Sequence, residues 1–220
     1  MCGIFGSSDF ESYEKLFELN RERGTFANGS LYVALDDLYI RKNFKAYELS
    51  AERVWNSHHD YYMFLGHTQA PTGKYRKWKA STTHPFECGS WVVAHNGVLE
   101  NFEELKTEYL PEHECPVDSS IIPALLEELF VGDDVYCMTE VSNLLKGTFA
   151  CWVFSKHTHH TYLIRSGSTL YHDPDNCSFS SLPLEGVCEQ SVDEGVIFQL
   201  TKEGSTPIGE FQSDSPFLIL

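Results

Sequence analysis

Positive charge is what this chain of 220 residues most lacks: 16 Lys and Arg stand against 32 Asp and Glu, a net charge of −16. A phosphate backbone attracts cations, so this balance argues against nucleic acid as the main ligand. An acidic surface otherwise signals solubility and says little about fold. Long apolar runs are also missing. None approaches the ~18 residues needed to cross a bilayer, and no basic-then-apolar leader opens the sequence. A cytoplasmic, reducing location without membrane attachment is therefore expected. The seven cysteines (Cys2, Cys88, Cys115, Cys137, Cys151, Cys177 and Cys188) include no CxxC pair, which suggests neither a zinc ribbon nor a disulfide framework. Most read as small core hydrophobes. Internal repeats, Pro/Gly/Ser linkers and breaks in composition are absent, and one domain over residues 1–220 is expected.

What the chain does have is core-forming material. Hydrophobic residues make up 42% of it and aromatics 14%, which excludes a disordered or low-complexity polymer. Met1 to Phe5 reads as a short strand ending at Gly6. Tyr13 to Arg23 has helical spacing in Tyr13, Leu16, Phe17 and Asn20 and stops at Gly24. Leu31–Leu35 and Leu38–Lys42 flank Asp36-Asp37 as a hairpin. Tyr61–Thr68 and Trp91–His95 read as buried strands. Helices are predicted over Asn101–Tyr109, over Ser119–Phe130 with Asp118 capping its first turn, and over Val135–Leu145. Strands follow at Thr148–Phe154, Thr161–Arg165, Thr169–Tyr171 and Val196–Thr201. Strands toward both ends with helices between them suggest two sheets covered by helices. Lys202–Leu220 carries little pattern.

One cysteine stands in an unusual place. Removal of Met1, which methionine aminopeptidases carry out when the second residue is small, puts a thiol and a free α-amine on Cys2. A thiol attacks as its thiolate and needs a base nearby. An α-amine with a pKa of roughly 8 can take that proton directly or through water. Gly3 and Gly6 leave room for close approach. Position two alone would be better explained by a buried core cysteine. The segment Ala94-His95-Asn96-Gly97 shifts the balance. It ends an apolar strand, and it offers the Asn96 amide and the Gly97 N–H as two donors for an oxyanion, each worth roughly 3–4 kcal/mol in known cases. Asn-Gly is also the strongest hairpin signal, but Val98-Leu99-Glu100-Asn101 leads into a helix instead of a matching strand.

Taken together these segments resemble the class II glutamine amidotransferases, a group of N-terminal-nucleophile hydrolases. Met1-Cys2-Gly3-Ile4-Phe5-Gly6 looks like their start and His95 to Asn101 like their oxyanion segment. Arg23-Gly24 with Gly29, Gly66 to Gly73, His84-Pro85, Asp118-Ser119-Ser120, Arg165 to Ser168 and Phe179-Ser180-Ser181 are similar to further motifs in the same order, from residue 1 to about 204. The overall look is closest to the glutaminase domain of isomerising glucosamine-phosphate synthase. The resemblance implies an α+β fold, a four-layer αββα sandwich, with Cys2 at the end of a central strand. It implies that Cys2 attacks the side-chain amide of glutamine, that Asn96 and Gly97 hold the oxyanion, and that ammonia leaves before water cleaves the thioester. Asp118 would bind the α-ammonium of glutamine, Thr72 would help with the carboxylate, and Arg23 would support the nucleophile.

The chain departs from that pattern at Gln69, where the family has an arginine that pairs with the α-carboxylate. An amide cannot match a guanidinium fork, and the lost contact is worth roughly 1.5–3 kcal/mol. Either glutamine binds weakly, another cation supplies the charge, or the physiological amide lacks that carboxylate. Lys74-Tyr75-Arg76-Lys77-Trp78-Lys79 follows directly and suggests Arg76 as surrogate, a lid over the site, or a docking surface for an acidic partner. His58-His59 and His157 to His160 lack ligands at metal spacing and read as turn histidines; His67 and His95 read as structural histidines that hydrogen-bond the site walls. No metal or cofactor is expected. The expected activity is a glutaminase that supplies ammonia to a separate synthase partner. The alternatives are an amidase for another linear amide, or a non-catalytic module that keeps the fold.

Overall fold

The computed structural model describes residues 2–45, 60–70 and 77–213. Thr72, Lys74, Arg76 and the His58-His59 pair lie outside them, as do Met1 and residues 214–220.

Two antiparallel sheets form the centre. The first contains β1 (Gly3–Ser7), β2 (Ala27–Val33), β3 (Leu38–Phe44), β4 (Met63–Gln69), β9 (Tyr171–His172), β10 (Ser178–Ser180) and β11 (Gln190–Ser191), in the order β11-β9-β10-β1-β4-β2-β3. The second contains β5 (Phe86–Cys88), β6 (Trp91–Leu99), β7 (Gly147–Ser155), β8 (His160–Ser166), β12 (Val196–Thr201) and β13 (Gly204–Glu210), in the order β13-β12-β8-β7-β6-β5. Successive residues of a strand face opposite sides of its sheet, and the cores follow that alternation. Ile4, Leu31, Leu65, Val92, Ala94 and Trp152 meet between the sheets. Phe5, Tyr32 and Phe64 face outward from the first sheet against α1 (Phe10–Asn20). Trp91, Val93, Cys151 and Val153 face outward from the second against α2 (Phe102–Tyr109), α3 (Ile121–Glu128) and α4 (Asp134–Leu144). Three apolar layers between four structural layers make an αββα sandwich. Each large apolar side chain buried in them contributes roughly 1.5–3 kcal/mol. Trp152 also joins the sheets directly, donating its indole N–H to the Gly66 carbonyl at 3.0 Å.

Local signals account for most element ends, with several corrections. Helix α1 begins earlier than its apolar spacing suggests, because Asp9 accepts from Ser12 N at 2.7 Å and caps it. Its predicted face of Tyr13, Leu16, Phe17 and Asn20 is buried. Strand β6 does not end at His95. It runs on through Asn96 and Gly97 to Leu99, because β7 supplies a partner for every residue, from Trp91↔Ser155 to Leu99↔Gly147. Continuous pairing here overrides the turn propensity of Asn-Gly. Asp118 does not cap a helix in the expected way: residues Asp118–Ser120 form a 3-10 turn, and α3 starts after it with no side-chain cap at Ser120. Pro123 falls in the first turn of α3, where its missing N–H has no helical partner to lose. Strand β13 arises from the C-terminal stretch that carried little pattern, pairing with β12 from Thr201↔Gly204 to Val196↔Glu210. Cys137, Cys151, Cys177 and Cys188 are buried and free, and burial pushes the Cys177 and Cys188 thiols up to about 12. No helix of the described residues is long and apolar enough to cross a membrane.

Candidate active site

β1 is the central strand of its sheet, held on both sides by β4 and β10. The last pair toward its start, Gly3↔Thr68, brings Cys2 next to the end of β4 and Gln69. Gly3 is required by that crossing, since a Cβ there would lie 2.5 Å from Asn20 Oδ1. Cys2 is half-buried, and its carbonyl accepts from Arg23 Nε at 2.6 Å. Burial pulls the Arg23 pKa down, while the charge of a Cys2 thiolate and that of Tyr171 push it back up. The guanidinium therefore sits within electrostatic reach of the Cys2 sulfur.

Ser181 ties this strand end to the second sheet. Its hydroxyl accepts from Ile4 N at 3.0 Å and from Asn96 Nδ2 at 3.3 Å, and its carbonyl accepts from Thr169 Oγ1 at 3.0 Å and Arg23 NH1 at 3.4 Å. Asn96 is even-numbered in β6, on the inter-sheet face with Val92 and Ala94, and only 5% exposed. An amide nitrogen carries two hydrogens, and the bond to Ser181 uses one of them. Gly97 has φ +152°, and a Cβ there would stand 1.9 Å from the Thr148 carbonyl. Only glycine fits.

Asp118 reaches the same place from the helical side. Its Oδ2 accepts from Leu99 N at 3.0 Å, and its Oδ1 accepts from Ser119 N at 2.8 Å and Ser119 Oγ at 3.3 Å. A carboxylate offers about four acceptor positions, so one stays open for a ligand. The carboxylate thus pins the backbone just beyond Gly97. His95, on the opposite face of β6 from Asn96, bonds Ser119 Oγ through Nδ1 at 2.8 Å; burial lowers its pKa against the pull of Asp118. His67 meets the wall chiefly by stacking, its ring 3.8 Å from that of His84. Burial takes His67 down to about 3, with the charge of His95 acting in the same sense and the His95 backbone opposing it. Both histidines are held neutral at ordinary pH.

Cys2, Gln69, His84, Gly97 and Asp118 line one open cavity of about 620 Å³. Asn96 and Arg23 are behind that wall, joined to it through Ser181 and the Cys2 carbonyl. A cavity of about 750 Å³ between α1 and Leu184–Val187 is lined by no Cys, Ser or Thr of the described residues. Of the residues singled out from sequence, Thr72 and Arg76 fall outside the described residues. Ser181, Ser119 and His84 were not singled out as site residues. They fell within motifs noted from the sequence, without a role of their own; the return of the chain beside β1 places Ser181, stacking on His67 places His84, and the bond to His95 places Ser119. Among the described residues, no three His, Cys, Asp or Glu side chains converge as metal ligands would.

No family model matches the chain. The glutamine–fructose-6-phosphate aminotransferase (isomerizing) of Staphylococcus epidermidis is 28% identical over 181 residues, which cover 77% of this chain and 30% of that protein. The 7-cyano-7-deazaguanine synthase of Sulfolobus acidocaldarius is 32% identical over 87 residues, covering 39% of this chain and 19% of that one. Among solved structures, the glutamine phosphoribosylpyrophosphate amidotransferase from B. subtilis matches with a TM-score of 0.75 over 97% of this chain and 50% of the other, at 18% identity. A glutamine aminotransferase class-II domain protein from Silicibacter pomeroyi matches with a TM-score of 0.60 over 96% of this chain and 100% of the other, at 12% identity. At such identities the structures speak for the fold alone. This chain spans about 30% of the length of the aminotransferase relative it matches. Its sequence is similar to that aminotransferase, and its sandwich is the fold of these amidotransferase structures.

Proposed function

We propose that this chain hydrolyses the side-chain amide of a glutamine through a thioester on Cys2 and passes the ammonia to a separate synthase partner. The observation that carries the reading is the placement of Cys2 on one cavity wall with Gln69, Gly97 and Asp118. With Met1 removed, the α-amine of Cys2 takes the thiol proton. The sulfur attacks the amide carbon, and the oxygen that gains charge is met by the Asn96 side-chain amide and the Gly97 N–H. The amine returns its proton to the leaving nitrogen, which departs as ammonia. Water then cleaves the thioester, releasing the side-chain carboxylate and restoring the thiol. Arg23 acts as a positioning residue, clamping the Cys2 carbonyl. Asp118, with one acceptor position open, takes the substrate α-ammonium. Thr72 and Arg76 are proposed to serve the carboxyl end of the substrate.

The aminotransferase relative is about three times longer than the stretch matched here. Its name describes transfer to fructose-6-phosphate, and the acceptor for this chain is left to its own partner. The reading is tested by the mass of the mature N-terminus, ammonia release, and labelling by an electrophilic glutamine analogue. Expected are loss of Met1, turnover, and one adduct on Cys2; Cys2→Ala should lose both turnover and adduct. Retained Met1, or ammonia release that survives Cys2→Ala, refutes the mechanism.

A further inference from the structure

The thioester chemistry proposed above, on which this inference rests, takes its sulfur from one sheet and an oxyanion donor from the other. Cys2 leads into β1 of the first sheet, and Asn96 lies within β6 of the second. Within a sheet, the backbone ladder sets where each residue stands. Between the sheets lies an apolar layer that includes Ile4, Val92, Ala94 and Trp152, and apolar contact is not directional. A misplacement of about 1 Å between reacting groups can cost about 100-fold in rate. The nucleophile and its oxyanion donor therefore call for a directional contact that spans the layer.

Ser181 makes one. It follows β10 and is fully buried, and its hydroxyl oxygen takes a hydrogen bond from each sheet. Ile4 N, close behind Cys2, donates to it at 3.0 Å, and Asn96 Nδ2 donates at 3.3 Å. The bond from Trp152 to the Gly66 carbonyl also crosses the layer, but it joins neither Cys2 nor the oxyanion segment. The contact to Ser181 orients the Asn96 amide as well. The last torsion of an asparagine side chain is soft and roughly two-fold, so nitrogen and oxygen can exchange places. A nitrogen aimed at the developing oxyanion stabilises it, whereas an oxygen there repels it. The bond to Ser181 turns the nitrogen toward the strand that carries Cys2.

The main chain of Ser181 is anchored separately. Its N–H donates to the Ile4 carbonyl at 2.8 Å, and its carbonyl accepts from Thr169 Oγ1 and Arg23. Removing the hydroxyl alone thus leaves these bonds in place and takes away the two that meet on Oγ.

We infer that Ser181 is a positioning residue of the reaction, whose hydroxyl sets the Asn96 amide against the Cys2 strand so that sulfur and oxyanion donor address the same carbonyl. It acts through Asn96 and takes no part in proton transfer.

The test compares the wild type with Ser181→Ala and Ser181→Thr by ammonia release from glutamine, with circular dichroism to report folding. The rate of Cys2 alkylation by iodoacetamide is measured alongside, since displacement at a saturated carbon forms no oxyanion. Expected for Ser181→Ala are a folded spectrum, kcat lower by ~10- to 100-fold and KM within about twofold, with the alkylation rate unchanged. Ser181→Thr keeps a hydroxyl and should recover most of kcat. On an Asn96→Ala background, Ser181→Ala should cost less than about threefold more, as expected of residues that act as one unit. Where the alanine form does not fold, Ser181→Cys puts a weaker acceptor in nearly the same space and is read in the same way. A kcat within about threefold of the wild type, alkylation that slows in step with kcat, or a full additional loss on the Asn96→Ala background overturns the inference and leaves the hydrolytic reading standing. A wild-type chain with Met1 removed that releases no ammonia overturns both.

Discussion

Acid should unfold this protein partly through His67. In the folded chain its ring is fully buried against His84, and its pKa falls to about 3 from the ordinary 6.5. In the unfolded chain it titrates at the ordinary value. Between those two values the unfolded state binds one more proton than the folded state, so stability falls as pH falls, by about 1.4 kcal/mol per unit. The effect is absent above pH 6.5. It amounts to about 2 kcal/mol at pH 5 and about 3 kcal/mol at pH 4, a large part of a typical domain's stability of 5–15 kcal/mol. Other buried histidines, among them His95 and His172, are shifted in the same direction, so the wild-type curve alone cannot isolate this residue. His67→Phe keeps an aromatic ring on His84 and removes the titration. Urea unfolding of both proteins at pH 7, 6, 5 and 4 should show the wild type losing about 2 kcal/mol relative to the variant by pH 5, whatever their offset at pH 7. Parallel curves, within about 0.5 kcal/mol from pH 7 to 4, would refute a neutral His67.

Two further perturbations address the site and its scaffold. Gly97→Ala places a methyl 1.9 Å from the Thr148 carbonyl at φ +152°. The backbone must shift, and kcat should drop ~100-fold or more with a folded circular dichroism spectrum; a loss under threefold would mean that the Gly97 N–H does not serve the oxyanion. Trp152→Phe removes the indole bond to Gly66 and opens a gap between the sheets. The urea midpoint should fall by the equivalent of about 2 kcal/mol with an unchanged slope, and a loss below about 0.5 kcal/mol would deny the bond a structural part.

The layered fold was readable because its apolar residues obey two periods. Tyr13, Leu16 and Phe17 recur with the helical turn, and Val92 and Ala94 alternate with Trp91 and Val93 across a sheet. Cys2, Gly97 and Asp118 each lie in a short motif, and the fold brings all three to one cavity. The reading of Asn96-Gly97 as a strand end failed because turn propensity is local, whereas the partner that extends β6 is β7, some fifty residues later. Ser181 was noted only as part of a motif, and its role could not be read for the same reason. Its hydroxyl matters only because β10 returns to lie beside β1. Asp118 looked like a helix cap, and only the structure shows it holding Leu99.

The bond from Ile4 N to Ser181 Oγ spans 177 positions of sequence. Strand β1 is synthesised first, yet it is the strand that must wait, since neither of its neighbours exists until residues 63–69 and 178–180 have been made. Loop-closure entropy on that scale weighs against early pairing of β1 with β10. A ribosome-bound or truncated chain that stops short of Ser181 would keep the β4 side of β1 but lack the serine that ties Cys2's strand to Asn96 of the second sheet.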